Sequence, residues 1–257
     1  MFTVSQSVSL LSKEIPAFPT LCCVLGTGWS HVLHDVQVEV ELPYDKVFGV
    51  AAGVPGHEGK LVIGKLGTQR IALMAGRLHT YEGYTTEEVT RPLQVFAQLG
   101  LRQLVVTAAV GALNEQYRVG DFVVLSDVLT AFCPSPLTGP KFTDLSQAFS
   151  PTLRQRALSA CAAHQIPVHE GTYCYVRGPH FESPADKMFY HHAGADVIGM
   201  STVPETIMAN FLKVDVLGLA FVTNLAFVRH AHEDVLAAAE AGSVRMVTLL
   251  GEVLAGG

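Results

Sequence analysis

Short runs rich in β-branched residues alternate along the chain with stretches whose apolar positions recur every three to four residues. The runs cover 21–25, 61–66, 70–74, 103–107, 122–126, 171–176, 196–199 and 216–223 and read as strands. Between them lie helix signals. Thr85-Thr86-Glu87-Glu88 forms a capping box ahead of Val89, Leu93 and Phe96, and Gly100 stops that helix. Further helices are predicted over 150–164, over 184–193 with Gly194 as the stop, and over 203–212 with Pro204 in the first turn. A last helix starts near Glu233 and carries Val235, Ala239, Gly242, Met246, Leu249 and Val253 on one stripe. Strands that read as unbroken apolar runs are covered on both faces. The alternation therefore predicts one α/β domain over 1–257, with largely parallel strands flanked by helices. The turn-rich segment 133–141 reads as a surface loop.

Composition narrows the function classes. Of 257 residues, 49% are hydrophobic and only 16% charged, so few charges remain to cover the surface, which favours burial of some of it in an oligomer. The net charge of −6 argues against a nucleic-acid partner, whose footprint would be basic, but leaves room for a locally positive pocket. Five cysteines, at 22, 23, 133, 161 and 174, form no Cys-x-x-Cys pair, which fits a reducing, cytoplasmic setting. The first residues lack the basic start of a signal peptide, and no apolar stretch reaches the length of a membrane span.

Six segments carry candidate chemistry, mostly just after strands, where α/β proteins place their ligands. Gly26-Thr27-Gly28 turns N–H groups and the Thr27 hydroxyl toward an anion, or is an ordinary turn; His31 stands where a dinucleotide fingerprint needs its third glycine. Arg77 and His79 alternate, so on extended backbone both face one way and suit an oxyanion, unless they sit on an exposed loop. His57 lies in the turn Pro55-Gly56-His57-Glu58, as a ligand or as a solvated side chain. Phe181 and Glu182 follow a strand between Pro179 and Pro184. They suit a planar heterocycle with N–H donors, while Glu182 alternatively caps the next helix. Ser201 and Thr202 are helix-cap candidates whose N–H groups also make an anion site. Asn224 ends a buried strand, either as a turn residue or facing an edge that carries both an acceptor and a donor. The histidine pairs fit no metal-ligand spacing, and Ser201 has no adjacent base as a hydrolase nucleophile would.

Taken together and in order, Gly199-Met200-Ser201-Thr202-Val203-Pro204-Glu205, Gly76-Arg77-Leu78-His79-Thr80-Tyr81-Glu82-Gly83-Tyr84, Gly178-Pro179-His180-Phe181-Glu182 and Pro55-Gly56-His57 resemble the trimeric purine nucleoside phosphorylases. The resemblance spans nearly the whole chain. It implies a mixed, twisted sheet closing into a distorted barrel flanked by helices. It also implies phosphorolysis of purine nucleosides, 6-oxopurines preferred, without metal or organic cofactor, by a homotrimer. Phosphate would meet Thr27, Arg77, His79, Ser201 and the Ala109 N–H, with His57 nearby. Glu182 and Asn224 would read the base against Phe181. Tyr81, Met200 and His232 would meet the ribose, and Phe142 matches the aromatic that this family lends to a neighbour's ribose. Asn224, His79 and Glu182 would carry the catalysis. The resemblance also makes Asn224, in place of an Asp, and His232 the residues that favour 6-oxopurine nucleosides over methylthioadenosine.

The chain departs from the family pattern at several points. Thr107-Ala108-Ala109-Val110-Gly111-Ala112 stands for Thr-Asn-Ala-Ala-Gly-Gly, Thr27 for Ser, His180 for Ser and Leu225 for Lys, and the loop before Phe142 is shortened. The competing readings are a methylthioadenosine-type phosphorylase and a nucleoside-binding homologue without catalysis.

Overall fold

Strands covered on both faces account for the uninterrupted apolar runs. The computed structural model describes residues 1–51, 53, 58–228 and 231–255. Its strands are β1 (Leu21–Leu25), β2 (Val36–Pro43), β3 (Lys60–Leu66), β4 (Gln69–Ala75), β5 (Gln103–Ala112), β6 (Phe122–Leu129), β7 (Val168–Tyr175), β8 (Val197–Gly199) and β9 (Asp215–Leu225). Its helices are α1 (Val4–Glu14), α2 (Tyr44–Val47), α3 (Thr86–Gln98), α4 (Pro151–Ala163), α5 (Pro184–His192), α6 (Val203–Phe211) and α7 (His232–Ala255).

Along β1 every residue is buried, and successive side chains enter two different cores. Cys22 and Val24 join Leu93 and Phe96 of α3 and Met208 of α6. Cys23 and Leu25 join Leu153 of α4 and Met246 and Leu249 of α7. The sheet runs β2-β3-β4-β1-β5-β8-β7-β6-β9, and β9 pairs back onto β5. Five strands thus close a barrel-like ring, and four extend from it as a wing.

The largely parallel sheet read from the apolar runs is corrected to the mixed one that the resemblance implied. β4, β1, β5 and β9 run parallel, as do β6–β7 and β7–β8. The β2–β3, β3–β4, β5–β8 and β6–β9 pairs are antiparallel. Hydrophobic runs report burial and not strand direction, so the pattern does not separate the two cases.

Three elements have no counterpart in the expected set: β2, α1 and the single turn α2. β2 is an edge strand with one buried residue at its start, and its exposed Glu39 and Glu41 pair with Arg70 and Lys60 at 2.8 and 3.0 Å. Charges suit an edge because they blunt further strand pairing. They also remove the apolar run that marks the other strands. α1 buries only Ser7 and Leu11, too narrow a stripe to stand out. In addition, β5 continues five residues past its expected end, through Ala108–Ala112. Apart from Val110, these small residues have little strand propensity, but the ladder to β9 and the end of β8 holds them extended.

Trp29, Phe122 and Phe221 form the aromatic centre of the core beneath α7, with Phe122 in edge contact with both other rings at 6.0 and 5.1 Å. Phe122→Ala should cost about 3–5 kcal/mol, read as a lower urea midpoint with an unchanged slope. A loss under about 1 kcal/mol would show that this cluster does not anchor the barrel.

Candidate active site

β1, β4, β5 and β9 are parallel, so their C-terminal ends open on one side, and there a cavity of about 470 Å³ lies. At the end of β1, Gly26 N–H donates to Thr107 Oγ1 at 2.9 Å, and that hydroxyl donates to Val24 O at 2.9 Å. Residue 26 has to be glycine, because a Cβ there would stand 2.6 Å from Thr107 O. This cross-link brings Thr27 to the cavity wall.

Arg77 lies just past β4 and is 2% exposed. Its Nη2 donates to Thr107 O and, at 3.5 Å, to Val24 O. Its Nη1 lies 3.4 Å from Glu205 Oε1. The guanidinium is therefore fixed beneath the strand ends, and the exposed-loop alternative for Arg77 is set aside.

Glu82 reaches back from the next turn to anchor His79. Its Oε1 accepts from His79 N–H at 2.8 Å and lies 3.1 Å from His79 Nδ1, while Oε2 accepts from Gly53 N–H at 2.9 Å. The His79 ring stacks on Tyr81 at 4.6 Å. Burial is the largest influence on His79 and Arg77 adds to it, so its pKa falls below the ordinary value despite Glu82. Burial pushes the Glu82 carboxyl up, but the hydrogen bonds from His79 and Gly53 outweigh it and hold the carboxyl below its usual range. Burial also pushes the Tyr81 phenol up to about 12, so it stays a neutral donor and acceptor.

Ser201 enters from the junction of β8 and α6. The Tyr173 hydroxyl accepts from its N–H at 3.2 Å and lies 3.4 Å from its Oγ. The anion site expected from the N–H groups of α6 needs correction. Thr202 has φ +70 without a side-chain cap, and Val203 N–H donates back to Ser201 O at 2.7 Å. Pro204 has no N–H, so the first two helical positions offer a ligand no donor; what Ser201 brings to the cavity is its side chain.

On β7's far side the helix-cap role falls to Ser183, which forms a capping box with Asp186. Glu182 and Phe181 are thereby left to line the cavity. At the end of β9 a register shift opposite Val110 and Gly111 places Thr223 as an extra residue. Its hydroxyl lies 3.2 Å from Val110 O and 3.1 Å from Asn224 Oδ1. Gly111 allows this close packing, since a Cβ there would stand 2.9 Å from Asn224 Nδ2.

One cavity thus collects Thr27, Arg77, His79, Tyr81 and Ala109 with Phe181, Glu182, Met200, Ser201 and Asn224. Phe142 is not among its lining residues and is 91% exposed. His57 and the side chain of His232 lie outside the described residues. Sequence reasoning assigned no role to Glu82, Thr223 or Glu205. The only signal for Glu82 was its three-residue spacing from His79. Among the described residues no group of three or more His, Cys, Asp or Glu is arranged to hold a metal ion, and no helix is long and apolar enough to cross a membrane.

The phosphorylase superfamily model matches residues 20–255. Purine nucleoside phosphorylase 1 of Geobacillus stearothermophilus is 36% identical over 232 residues, covering 87% of this chain and 84% of that protein. A Schistosoma purine nucleoside phosphorylase in complex with hypoxanthine superposes with a TM-score of 0.90 at 29% identity, over 98% of both chains. The Schistosoma mansoni enzyme in complex with adenosine superposes equally well, with a TM-score of 0.90 at 30% identity, over 97% of this chain and 95% of that one.

The His79 titration tests the electrostatics of the site. A His whose folded pKa lies below its unfolded one adds nothing to stability at high pH. It lowers stability as pH falls below about 6.5, where the unfolded chain takes up the proton first. Histidine NMR should place His79 below its ordinary value, and lower still in Glu82→Gln, which removes the main group that raises it. An upward movement in that variant would refute the assigned contact.

Proposed function

The chain belongs to the purine nucleoside phosphorylases of the phosphorylase superfamily, and on that premise we propose that it splits purine ribo- and deoxyribonucleosides with inorganic phosphate. The products are the free base and the (deoxy)ribose 1-phosphate, as in purine salvage. The carrying observation is that one cavity holds both a fixed buried guanidinium, Arg77, and a carboxylate beside an aromatic ring, Glu182 with Phe181.

In this reading Arg77, His79, Thr27, Ser201 and the Ala109 N–H hold phosphate, with His57 close by. Arg77 offers it a charge that needs no rearrangement at the moment of reaction. Tyr81, Met200 and His232 position the ribose. As the C1′–N9 bond lengthens, positive charge grows on the sugar, and phosphate on the opposite face stabilises it and forms the new C1′–O bond. The electron pair of the broken bond passes to the purine, where the Asn224 side chain stabilises it at N7 and O6 while Glu182 accepts from the ring N–H. Positioning and preorganised electrostatics carry the rate, with phosphate as co-substrate and no metal or organic cofactor.

We further propose that Asn224 and His232 favour 6-oxopurine nucleosides. We also propose that a homotrimer brings Phe142, exposed and away from its own cavity, to a neighbour's ribose. The five free cysteines support a reducing compartment such as the cytoplasm.

Purified protein with inosine should release hypoxanthine and ribose 1-phosphate only when phosphate is present; binding without release would favour a non-catalytic homologue. Arg77→Ala should reduce kcat/KM for phosphate by roughly 100-fold or more. Glu182→Ala should instead cut kcat/KM for the nucleoside by a similar order, because the base N–H loses its hydrogen-bond partner. If both changes moved phosphate affinity alike, the division of the cavity would be wrong. Inosine should outpace methylthioadenosine and adenosine, and equal or faster turnover of methylthioadenosine would reverse the specificity assignment.

A further inference from the structure

Glu205 is the charged group of this site for which the chemistry above has no use. It lies in the first turn of α6, and its side chain and that of Arg77 are 4% and 3% exposed. Neither of its carboxylate oxygens has a hydrogen-bond partner among the described residues. It caps nothing, since neither oxygen reaches a backbone N–H of the helix start, and the N-cap Thr202 makes no side-chain capping bond. The Arg77 guanidinium does not need it for orientation either, because Nη2 already donates to Thr107 O and Val24 O. At 3.4 Å from Nη1, the carboxylate is set back from the short, two-pronged geometry of a carboxylate clamp. Arg77 lines the cavity and Glu205 does not.

A carboxylate taken out of water and left without hydrogen bonds adds little to stability, since desolvation offsets the attraction to its partner. What it does change is the potential that a ligand meets. In a medium of low dielectric, a negative charge just behind Arg77 cancels part of the cation's field. An incoming oxyanion then meets a site closer to neutral. We propose that Glu205 acts through Arg77 to weaken oxyanion binding, so that the phosphate ester formed in the reaction leaves readily. The proposal rests on the phosphorolytic reading above and adds to it a residue that sets affinity without touching the ligand.

The test replaces the charge and keeps the shape. Phosphate binding to wild type and Glu205→Gln is measured by calorimetry without nucleoside, followed by phosphate KM, kcat with inosine, and inhibition by ribose 1-phosphate. Glu205→Gln should bind phosphate tighter on the order of tenfold, the scale of one partly screened charge at this range. The ribose 1-phosphate inhibition constant should fall in parallel, and kcat should fall as release slows. Saturating phosphate should also raise the melting temperature more in the variant than in wild type. Weaker phosphate binding would overturn the proposal and make Glu205 a support that aligns Arg77; unchanged binding would overturn it as well. If Glu205→Gln does not fold, Glu205→Asp decides. It keeps the charge one methylene further back, so phosphate should bind tighter than to wild type, and equal or weaker binding refutes the idea. Wild type that binds no phosphate would sink the phosphorolytic reading itself. Wild type that binds phosphate, with variants that bind it no tighter, would sink only the role of Glu205.

Discussion

Thr107 ties the molecule's frame to its cavity. Its hydroxyl bridges Gly26 N–H and Val24 O, so the end of β1 is locked to the middle of β5. Its carbonyl oxygen accepts from Arg77 Nη2, so the same residue fixes the one cation buried in the cavity wall among the described residues. A guanidinium in that position would be costly to bury without partners, and the strand carbonyls supply them at a point where the sheet ladder has ended. Everything that converges on the cavity is measured against this fixed group.

The wall around it is built from small residues for a related reason. The end of β5, Ala108 to Gly111, lines the cavity and also forms a ladder with β9. Larger side chains would fill the space or push Asn224 away, since even a Cβ on Gly111 would crowd the Asn224 amide. Val110 is the bulkiest of these residues and is buried at 2%.

Around Arg77 the titratable groups divide by the partners they find. His79 is desolvated and leans toward its neutral form, while Glu82, held by two backbone N–H groups, leans toward its charged one. The pair fixes the ring orientation without filling the cavity. Glu205 differs in kind: it is buried deeper and lacks comparable hydrogen bonds, so its main effect is on the field.

The amino-acid sequence alone determined the strands buried on both faces, the helices α3 to α7, and the residue types able to grip an oxyanion and a flat heterocycle. These are local properties, written as apolar runs, cap spacings and short motifs such as Gly26-Thr27-Gly28 and Gly199-Met200-Ser201. The charged edge strand β2 and the narrow-striped α1 escaped such a reading because half-solvated elements leave a weak apolar signal. Strand direction, closure of the ring through β5 and β9, and the shift that presents Asn224 were decided by tertiary structure, because hydrogen bonds between distant strands leave no periodic trace in either one. The same holds for Glu205. As a letter in the chain it looks like an ordinary first-turn acid, and only packing α6 against the loop after β4 sets it behind Arg77, since burial and charge proximity arise between segments more than a hundred residues apart.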